Sequence, residues 1–444
     1  MARRHPGFRP LSSPLSPRLL GVLLLAAAAL GLVVWLAGWH VGADSAVYRA
    51  GGLTLLEGEP LYTSSDLTTL PDWVRLPFTY TPAAAALFVP LVLVPPGLVW
   101  GVITASSVVS LIVVLAVVAR PSGVWLPAGT ALVLVLEPVW KTLFLGQINL
   151  ILMALVVVDV LVLSGRGAGA GRWARARSTA DSARAGGSGA PAGPAGPVES
   201  GGSAGESVRG RRWAGVLVGV AAAVKLTPLI FVPHLFFTGR WKDGLRALAT
   251  FVVLEGVMFA VIPGDAGRFW TKSVTDPSRV GSVHWIFNQS LNGLVDRASD
   301  RASWSMAVAV GAAVVLAVPA VWLVVRWHRR GEQAAALLVT AFYALLVSPV
   351  SWSHHWVWSV PLIGLLMVKG RRWWALLVAA LFASQIVMLV PNGGDTEFTW
   401  GPGWSVLGNA YVLAAVVALL ALAARELRLR ARTAEPGVQP KVAG

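Results

Sequence analysis

Residues 213–237, WAGVLVGVAAAVKLTPLIFVPHLFF, are apolar almost throughout but are interrupted near the middle by Lys225 and Pro228. The stretch ahead of the break makes about 20 Å of helix, too short to cross a hydrocarbon core of about 30 Å. Its flanks, Arg211-Arg212 and Arg240, are both basic. Cytoplasmic loops carry the excess of Lys and Arg, so the segment is expected to enter and leave on one side. It reads as a pair of half-helices with Lys225 near the apex.

The rest of the chain makes the bilayer its solvent. Of 444 residues, 56% are hydrophobic and 13% charged, with a mean hydropathy of +0.68. A soluble globule could not hide that much apolar surface. Apolar runs long enough to cross recur from residue 19 to 424, predicting an all-α polytopic membrane protein of about ten to twelve transmembrane helices. The first run, 19–39, ends without a small-residue cleavage site and is followed by many like it, so it reads as a retained span. Full spans are expected at 98–119, 123–139, 148–164, 244–263, 304–327, 334–350, 355–368, 372–390 and 405–424. The proline-bracketed run 82–94 reads as a juxtamembrane or re-entrant helix.

Charge sets the orientation. The net charge is +15, which in a soluble protein would suggest nucleic acid. Here the basic residues cluster at the ends of spans, and no nucleic-acid partner is expected. Arg3, Arg4, Arg9 and Arg18, the loop 165–212, Arg240–Arg246, Arg326–Arg330, Lys369–Arg372 and the tail from Arg425 then share the cytoplasmic side. Four regions follow: an N-terminal transmembrane part, 1–164, with an outer catalytic loop at 40–80; a disordered Gly/Ala/Ser/Pro/Arg linker, 165–212; a C-terminal transmembrane part, 213–424; and a basic cytoplasmic tail, 425–444. There is no cysteine, which excludes disulfides, thiolate catalysis and iron–sulfur sites. No P-loop, Rossmann fingerprint or nucleophile elbow occurs.

Polar residues gather at the outer ends of the spans, where an ionisable group needs a partner or a water-filled cavity. Asp44, just past the first span, has two readings: a general base toward a hydroxyl nucleophile, or a first-turn acid stabilising a helix N-terminus. Lys225 either meets an anionic phosphate or snorkels. His354 and His355 are adjacent, so at most one is expected to enter a site; interfacial packing is their alternative. Gln147, Asn149, Asn288, Gln289 and Asn292 suit sugar hydroxyls or, equally, interhelical hydrogen bonds. Glu137, Asp159 and Glu255 lie within or near spans without an assigned role. The main competing function is a transporter or flippase of a lipid-linked or polar substrate, which would also place polar groups at broken helices.

Several motifs, in order, carry a resemblance: Asp44 with Val47-Tyr48; Leu55-Leu-Glu-Gly58-Glu-Pro60-Leu-Tyr62; Pro77-Phe78-Thr79-Tyr80-Thr-Pro82; Gly146-Gln147-Ile-Asn149; Ala223-Val-Lys225-Leu-Thr227-Pro228; Asn288-Gln289-Ser290-Leu-Asn292; and Ser351-Trp352-Ser-His354-His355-Trp356. Together they resemble glycosyltransferase family 87, the polyprenyl-phosphate-mannose-dependent alpha-(1,2)-mannosyltransferases. The resemblance implies a GT-C-like helical bundle in the plasma membrane with its catalytic pocket on the extracytoplasmic side. It implies polyprenyl-phosphate mannose as donor, a glycolipid or lipoglycan as acceptor, and inversion at the anomeric carbon. No acidic pair with metal-binding spacing lies beside Asp44, so a metal-independent reaction without a cofactor is expected. Carried over by position, Asp44 would be the base. Lys225 with His354 or His355 would balance the leaving phosphate, and Gln147, Asn149, Asn288, Gln289 and Tyr48 would orient sugar or phosphate. Thr81 departs from the family phrase, which commonly has Pro there.

Overall fold

The computed structural model describes residues 17–63, 66–119, 125–164 and 212–434. Most of the proposed linker (165–211) and the last ten residues of the proposed tail (435–444) lie outside them. Among the described residues the chain is helical and has no strand beyond a single bridge between Asn288 and Trp352. Helix α1 (Pro17–Leu36) leads to α2 (Ala43–Glu57), then to α3 (Pro82–Phe88), α4 (Pro96–Val118), α5 (Trp125–Val133), α6 (Glu137–Leu145) and α7 (Asn149–Val157), which continues as a π-helical turn to Leu163. Beyond the linker come α8 (Val216–Val224), α9 (Phe231–Phe237), α10 (Trp241–Val261), α11 (Pro263–Thr271), α12 (Leu291–Ala298), α13 (Ser305–Arg329), α14 (Gln333–Val347), α15 (Ser359–Val368), α16 (Arg372–Ala383), α17 (Ile386–Leu389), α18 (Pro402–Gly408) and α19 (Ala410–Ala434).

Five of these segments are long and apolar enough to cross a membrane unaided, and the bent pair α5–α6 would make a sixth. They are α4, α10, α13, the run Arg372–Leu389, and the Ala410–Ala431 stretch of α19. Shorter apolar helices at Pro82–Leu93, Asn149–Leu163, Thr227–Phe237 and Gln333–Val347 fill in between them. The α4 window is 56% buried against protein, whereas those of α10, α13 and α19 are 28% buried. The first is therefore the hub, and the others turn most of their apolar surface toward lipid. Helix α1 packs on α4 through Gly31, whose added Cβ would stand 3.2 Å from Gly101 Cα; small residues allow such close backbone approach.

The expected span at 123–139 differs in detail. The helix stops at Val133 and turns by 80° into α6, because Pro138 sits at the first turn of a new helix where its missing N–H costs nothing. Helix α6 then lies against the 3₁₀ segment Ser353–Trp358.

The segment 213–237 folds as a helical hairpin. At its start, Asp159 accepts from Gly215 N at 2.6 Å and Val218 N at 3.0 Å, satisfying N–H groups that a helix N-terminus leaves open. At its end, Arg240 Nη1 donates to Val160 O at 2.8 Å. Both ends thus meet consecutive residues of one helix turn. Between them Lys225 is extended, at φ −146°, ψ 131°, and Pro228 opens a separate 3₁₀ turn. The apex reaches Asn149, at the opposite end of α7 from Asp159. Asp159 thereby acquires a structural role, since an unsatisfied backbone group at membrane depth would cost several kcal/mol.

Candidate active site

Two glycine turns bring the N-terminal part of the site together. Gly42 (φ +79°) precedes α2, and Gly146 (φ +65°) follows α6. A Cβ on either would fall 2.6 Å or 2.7 Å from Ser45 Oγ, so both positions require a left-handed backbone and no side chain. Gly42 N donates to Phe144 O at 3.0 Å, and Ser45 Oγ donates to Gly42 O at 2.7 Å. This junction sets Asp44, in the first turn of α2, beside Gln147, whose side chain hydrogen-bonds the carboxylate.

Behind Gln147 stands a buried tyrosine pair. Tyr48 donates to Gln147 Oε1 at 3.0 Å and accepts from Ile148 N at 3.1 Å. The Tyr48 and Tyr80 hydroxyls lie 3.0 Å apart. Tyr48 has no exposed surface, so it orients Gln147 from behind rather than facing a cavity. Sequence reasoning had quoted Tyr80 only as part of a motif. Its ring also lies under the Lys225 ammonium, 5.9 Å from Nζ.

Lys225 arrives from the hairpin apex. Its Nζ is 3.1 Å from Asn149 Oδ1 and 3.1 Å from His355 Nε2, and its charge acts on Asp44. Both Asp44 and Lys225 are half-buried. Burial pushes the Asp44 carboxyl from its ordinary range up to about 7, against the opposing pull of the Lys225 ammonium and the Gln147 hydrogen bond. A carboxyl so placed exchanges its proton near neutrality, as a general base requires. Thr81 helps to hold the apex: its hydroxyl donates to Ala223 O and accepts from Ala84 N at 3.1 Å. A proline there could not make this tie. Glu255 of α10 is buried beside the same Thr81 and beside Trp270, which gives it a place in the fold.

A partly open cleft adjoins this cluster, with Asn149, Ser351 and His355 among its polar lining residues and Met153, Phe231, Leu345 and Trp358 among its apolar ones. Two of these lining residues, Asn149 and His355, are the ones that hold the Lys225 ammonium, each at 3.1 Å.

The remaining residues divide. His354 is buried and both its ring nitrogens lack partners among the described residues; its carbonyl accepts from Thr142 Oγ1 at 2.9 Å and Asn149 Nδ2 at 3.2 Å. Of the two histidines, His355 is the one whose side chain joins Lys225. Asn288 and Gln289 do not belong to the Asp44–Lys225 network. Asn288 Nδ2 donates to Val283 O (2.9 Å) and Pro349 O (3.3 Å), and its Oδ1 accepts from Ser351 N at 2.9 Å. Gln289 Nε2 donates to Ile286 O and Gly408 O at 2.6 and 2.7 Å, and its Oε1 accepts from Tyr411 N at 3.2 Å. Neither has exposed surface, and their amides are spent on backbone: Asn288 holds the segment that carries His355, and Gln289 ties residue 286 to the start of α19. Asn292 likewise donates to Pro349 O, at 3.1 Å.

Sequence reasoning passed over Lys141. It pairs with Glu137 at 3.4 Å, donates to Ser353 Oγ at 3.1 Å and lies 3.3 Å from the Phe287 ring centroid. Ser353 Oγ in turn donates to Glu137 Oε1 at 2.7 Å. The signal available was the i,i+4 acid–lysine spacing inside an apolar stretch.

The family model of glycosyltransferase family 87 matches residues 78–178 and 202–349, and its gap falls inside the stretch 165–212. The chain is 29% identical to a Mycobacterium tuberculosis (strain ATCC 25618 / H37Rv) protein named polyprenol-phosphate-mannose-dependent alpha-(1-2)-phosphatidylinositol mannoside mannosyltransferase, over 95% of this chain and 96% of that protein. It is 29% identical to a protein of the same name from Mycolicibacterium smegmatis (strain ATCC 700084 / mc(2)155), over 92% and 90% respectively. Among solved structures, ArnT from Cupriavidus metallidurans bound to undecaprenyl phosphate is similar at TM-score 0.41 and 17% identity, over 92% of this chain and 72% of that one. With more than half of its length matched by the family model, and with the motifs around Gln147, Lys225 and Asn288 inside that match, the chain belongs to glycosyltransferase family 87.

Proposed function

We propose that this glycosyltransferase moves mannose from polyprenyl-phosphate mannose to a hydroxyl of a mannosylated lipid, forming an alpha-(1,2) linkage with inversion, at the extracytoplasmic face of the plasma membrane. The observation that carries the reading is that a carboxyl raised to about 7, Asp44, feels the charge of an ammonium, Lys225, whose partners Asn149 and His355 line a largely apolar cleft. The names of the relatives support the donor and the class of acceptor. The clustering of basic residues at the opposite ends of the helices supports the orientation.

Asp44 takes the proton of the acceptor hydroxyl as that oxygen attacks the anomeric carbon. The bond from that carbon to the phosphate oxygen breaks on the other face, and the electron pair leaves with polyprenyl phosphate. Lys225, oriented by Asn149 and backed by His355, meets the charge that grows on the departing phosphate, where fixed cations lower a barrier most. The apolar cleft takes the first isoprene units. Gln147, held by Tyr48 and Tyr80, keeps the base aimed. The two transmembrane parts form one site, since Asp44 and Gln147 come from the first and Lys225 and His355 from the second. Residues 165–212 serve as a linker between them.

The test uses polyprenyl-phosphate mannose and a panel of mannosylated lipids, with membranes from cells that carry or lack the protein. The expected product contains a new mannose released by an alpha-mannosidase and forms in intact spheroplasts given acceptor from outside. Product formed only in inverted vesicles would overturn the orientation, and product with a beta linkage would overturn inversion. No product with any acceptor would reject the donor or the acceptor class.

A further inference from the structure

On the Asp44 side of the bundle, two arginines anchor on one peptide segment and form no ion pair among the described residues. Arg268, on α11, donates through Nη1 to Tyr62 O at 3.1 Å. Arg279, in the turn Pro277–Val280, donates through Nη1 to Thr63 O at 3.0 Å. Their targets are consecutive carbonyls, so the two forks are neighbours. Each donation uses one arm of a group with five N–H donors. Arg279 Nη2 is buried and has no hydrogen-bond partner among the described residues. None of the ion pairs among those residues involves either arginine. The nearby acids point to backbone N–H groups: Asp265 Oδ2 accepts from Leu61 N at 3.1 Å, and Asp276 Oδ1 accepts from Ser278 N at 3.0 Å.

Position makes this pair more than a solvated patch. Helix α11 begins at Pro263, directly after the spanning helix α10 ends near Val261, so its residues lie at the level where a bilayer carries its headgroups. The same backbone that binds both arginines leads to the active site. Tyr62 packs on Phe269 at 5.2 Å between ring centroids, and its hydroxyl donates to Tyr80 O at 2.7 Å. Tyr80 in turn reaches Gln147 at 3.4 Å. Two aromatic side chains therefore separate the guanidinium pair from the residue that touches Asp44.

We infer that Arg268 and Arg279 bind the phosphodiester of the acceptor lipid while its reacting hydroxyl lies at Asp44. Paired planar forks match the oxygens of a phosphate. The separation across Tyr62 and Tyr80 suits an acceptor that already carries sugar between its phosphodiester and the reacting hydroxyl. This inference rests on the proposed mannosyl transfer to a glycosylated lipid, and it adds how that acceptor is held.

The test compares two acceptors in detergent micelles free of anionic lipid: a mannosylated phosphatidylinositol, and an alkyl glycoside bearing the same mannose units without phosphate. In the double variant R268Q/R279Q, the KM for the phosphate-bearing acceptor should rise about tenfold or more. The KM for the neutral acceptor and for the donor, and kcat with the neutral acceptor, should stay near wild type. The milder R268K/R279K, which keeps the charge and loses the forks, should give a smaller rise confined to the same acceptor. Equal losses with both acceptors would mean that the arginines only hold residues 62–63 and would overturn the assignment, as would no change with either. An effect that appears with both acceptors only when phosphatidylglycerol is added would assign the pair to bulk anionic lipid, which also overturns it. If wild type uses neither acceptor, the mannosyl-transfer reading fails, and direct binding of dioleoyl phosphatidylinositol decides. Loss of that binding in R268Q/R279Q would keep a phosphodiester site, and unchanged binding would remove it.

Discussion

Two polar clusters, Asp44–Gln147–Lys225 and Asn288–Gln289, look alike as residue types but differ in how their hydrogen bonds are used. In the first, side chains bond mainly to other side chains, and Asp44, Lys225 and His355 remain half-buried beside an open cleft. In the second, both amides donate to backbone carbonyls and accept from backbone N–H groups, and no surface remains. A buried amide whose donors and acceptors are filled has little to offer a sugar. The first cluster keeps polar surface beside the cleft; in the second, Asn288 fixes the loop that carries His355 and Gln289 fixes the start of α19.

The largest expected difference is at Asp44. Asp44→Asn should lower kcat for mannosyl transfer by about 10²–10⁴-fold, the usual span for loss of a general base, with the donor KM nearly unchanged. Radiolabelled mannose transferred per folded protein measures it, and activity within threefold of wild type would remove Asp44 from the chemistry.

At Lys225, replacement by Gln should cost about 10²–10³-fold in kcat, the scale seen when one preorganised donor to a developing anion is lost. The same variant tests the coupling through pH. The base works deprotonated, so the wild-type rate should fall as pH drops through about 7, the value to which burial raises Asp44. Because the Lys225 ammonium lowers that value, its removal should move the acid limb to higher pH. A limb that stays in place would separate the two residues.

Asn288→Ala or Gln289→Ala should act on stability instead. Leaving buried backbone groups unpaired costs about 1–3 kcal/mol each, read as a lower Tm of the detergent-solubilised protein. Below that Tm the donor KM should match wild type. A raised donor KM with an unchanged Tm would place these amides on the substrate and erase the contrast between the clusters.

Gly146→Ala should have the mildest effect. A left-handed backbone with a Cβ costs roughly 1–2 kcal/mol, and the methyl would press on Ser45 Oγ. Activity should fall about tenfold through misplacement of Gln147. Full activity would mean that the Gly42–Gly146 junction does not aim the base.

Much of the fold was legible because membrane burial leaves a one-dimensional trace. The apolar runs at Pro96–Val118, Trp241–Val261 and Ser305–Arg329 and the broken run around Lys225 could each be read without knowing any neighbour. The 80° turn between α5 and α6 was less visible, since both halves are apolar and only Pro138 marks the joint. Asp44, Lys225 and the His354-His355 pair stood out as costly groups near apolar segments, but which histidine faces Lys225 depends on the kink at Trp356. Asp159 and Glu137 could be noticed but not assigned, because their partners are 56 residues away at Gly215 and 216 residues away at Ser353.

By itself, the sequence determined the solvent of this protein and its family. Hydropathy and charge are properties of each segment, and the bilayer reads them locally. The tertiary structure decided which polar residues converge beside the cleft and which are consumed in backbone hydrogen bonds. That distinction depends on whether a donor or acceptor is already satisfied by a distant backbone, and hydrogen bonds of this kind leave no periodic mark along the chain.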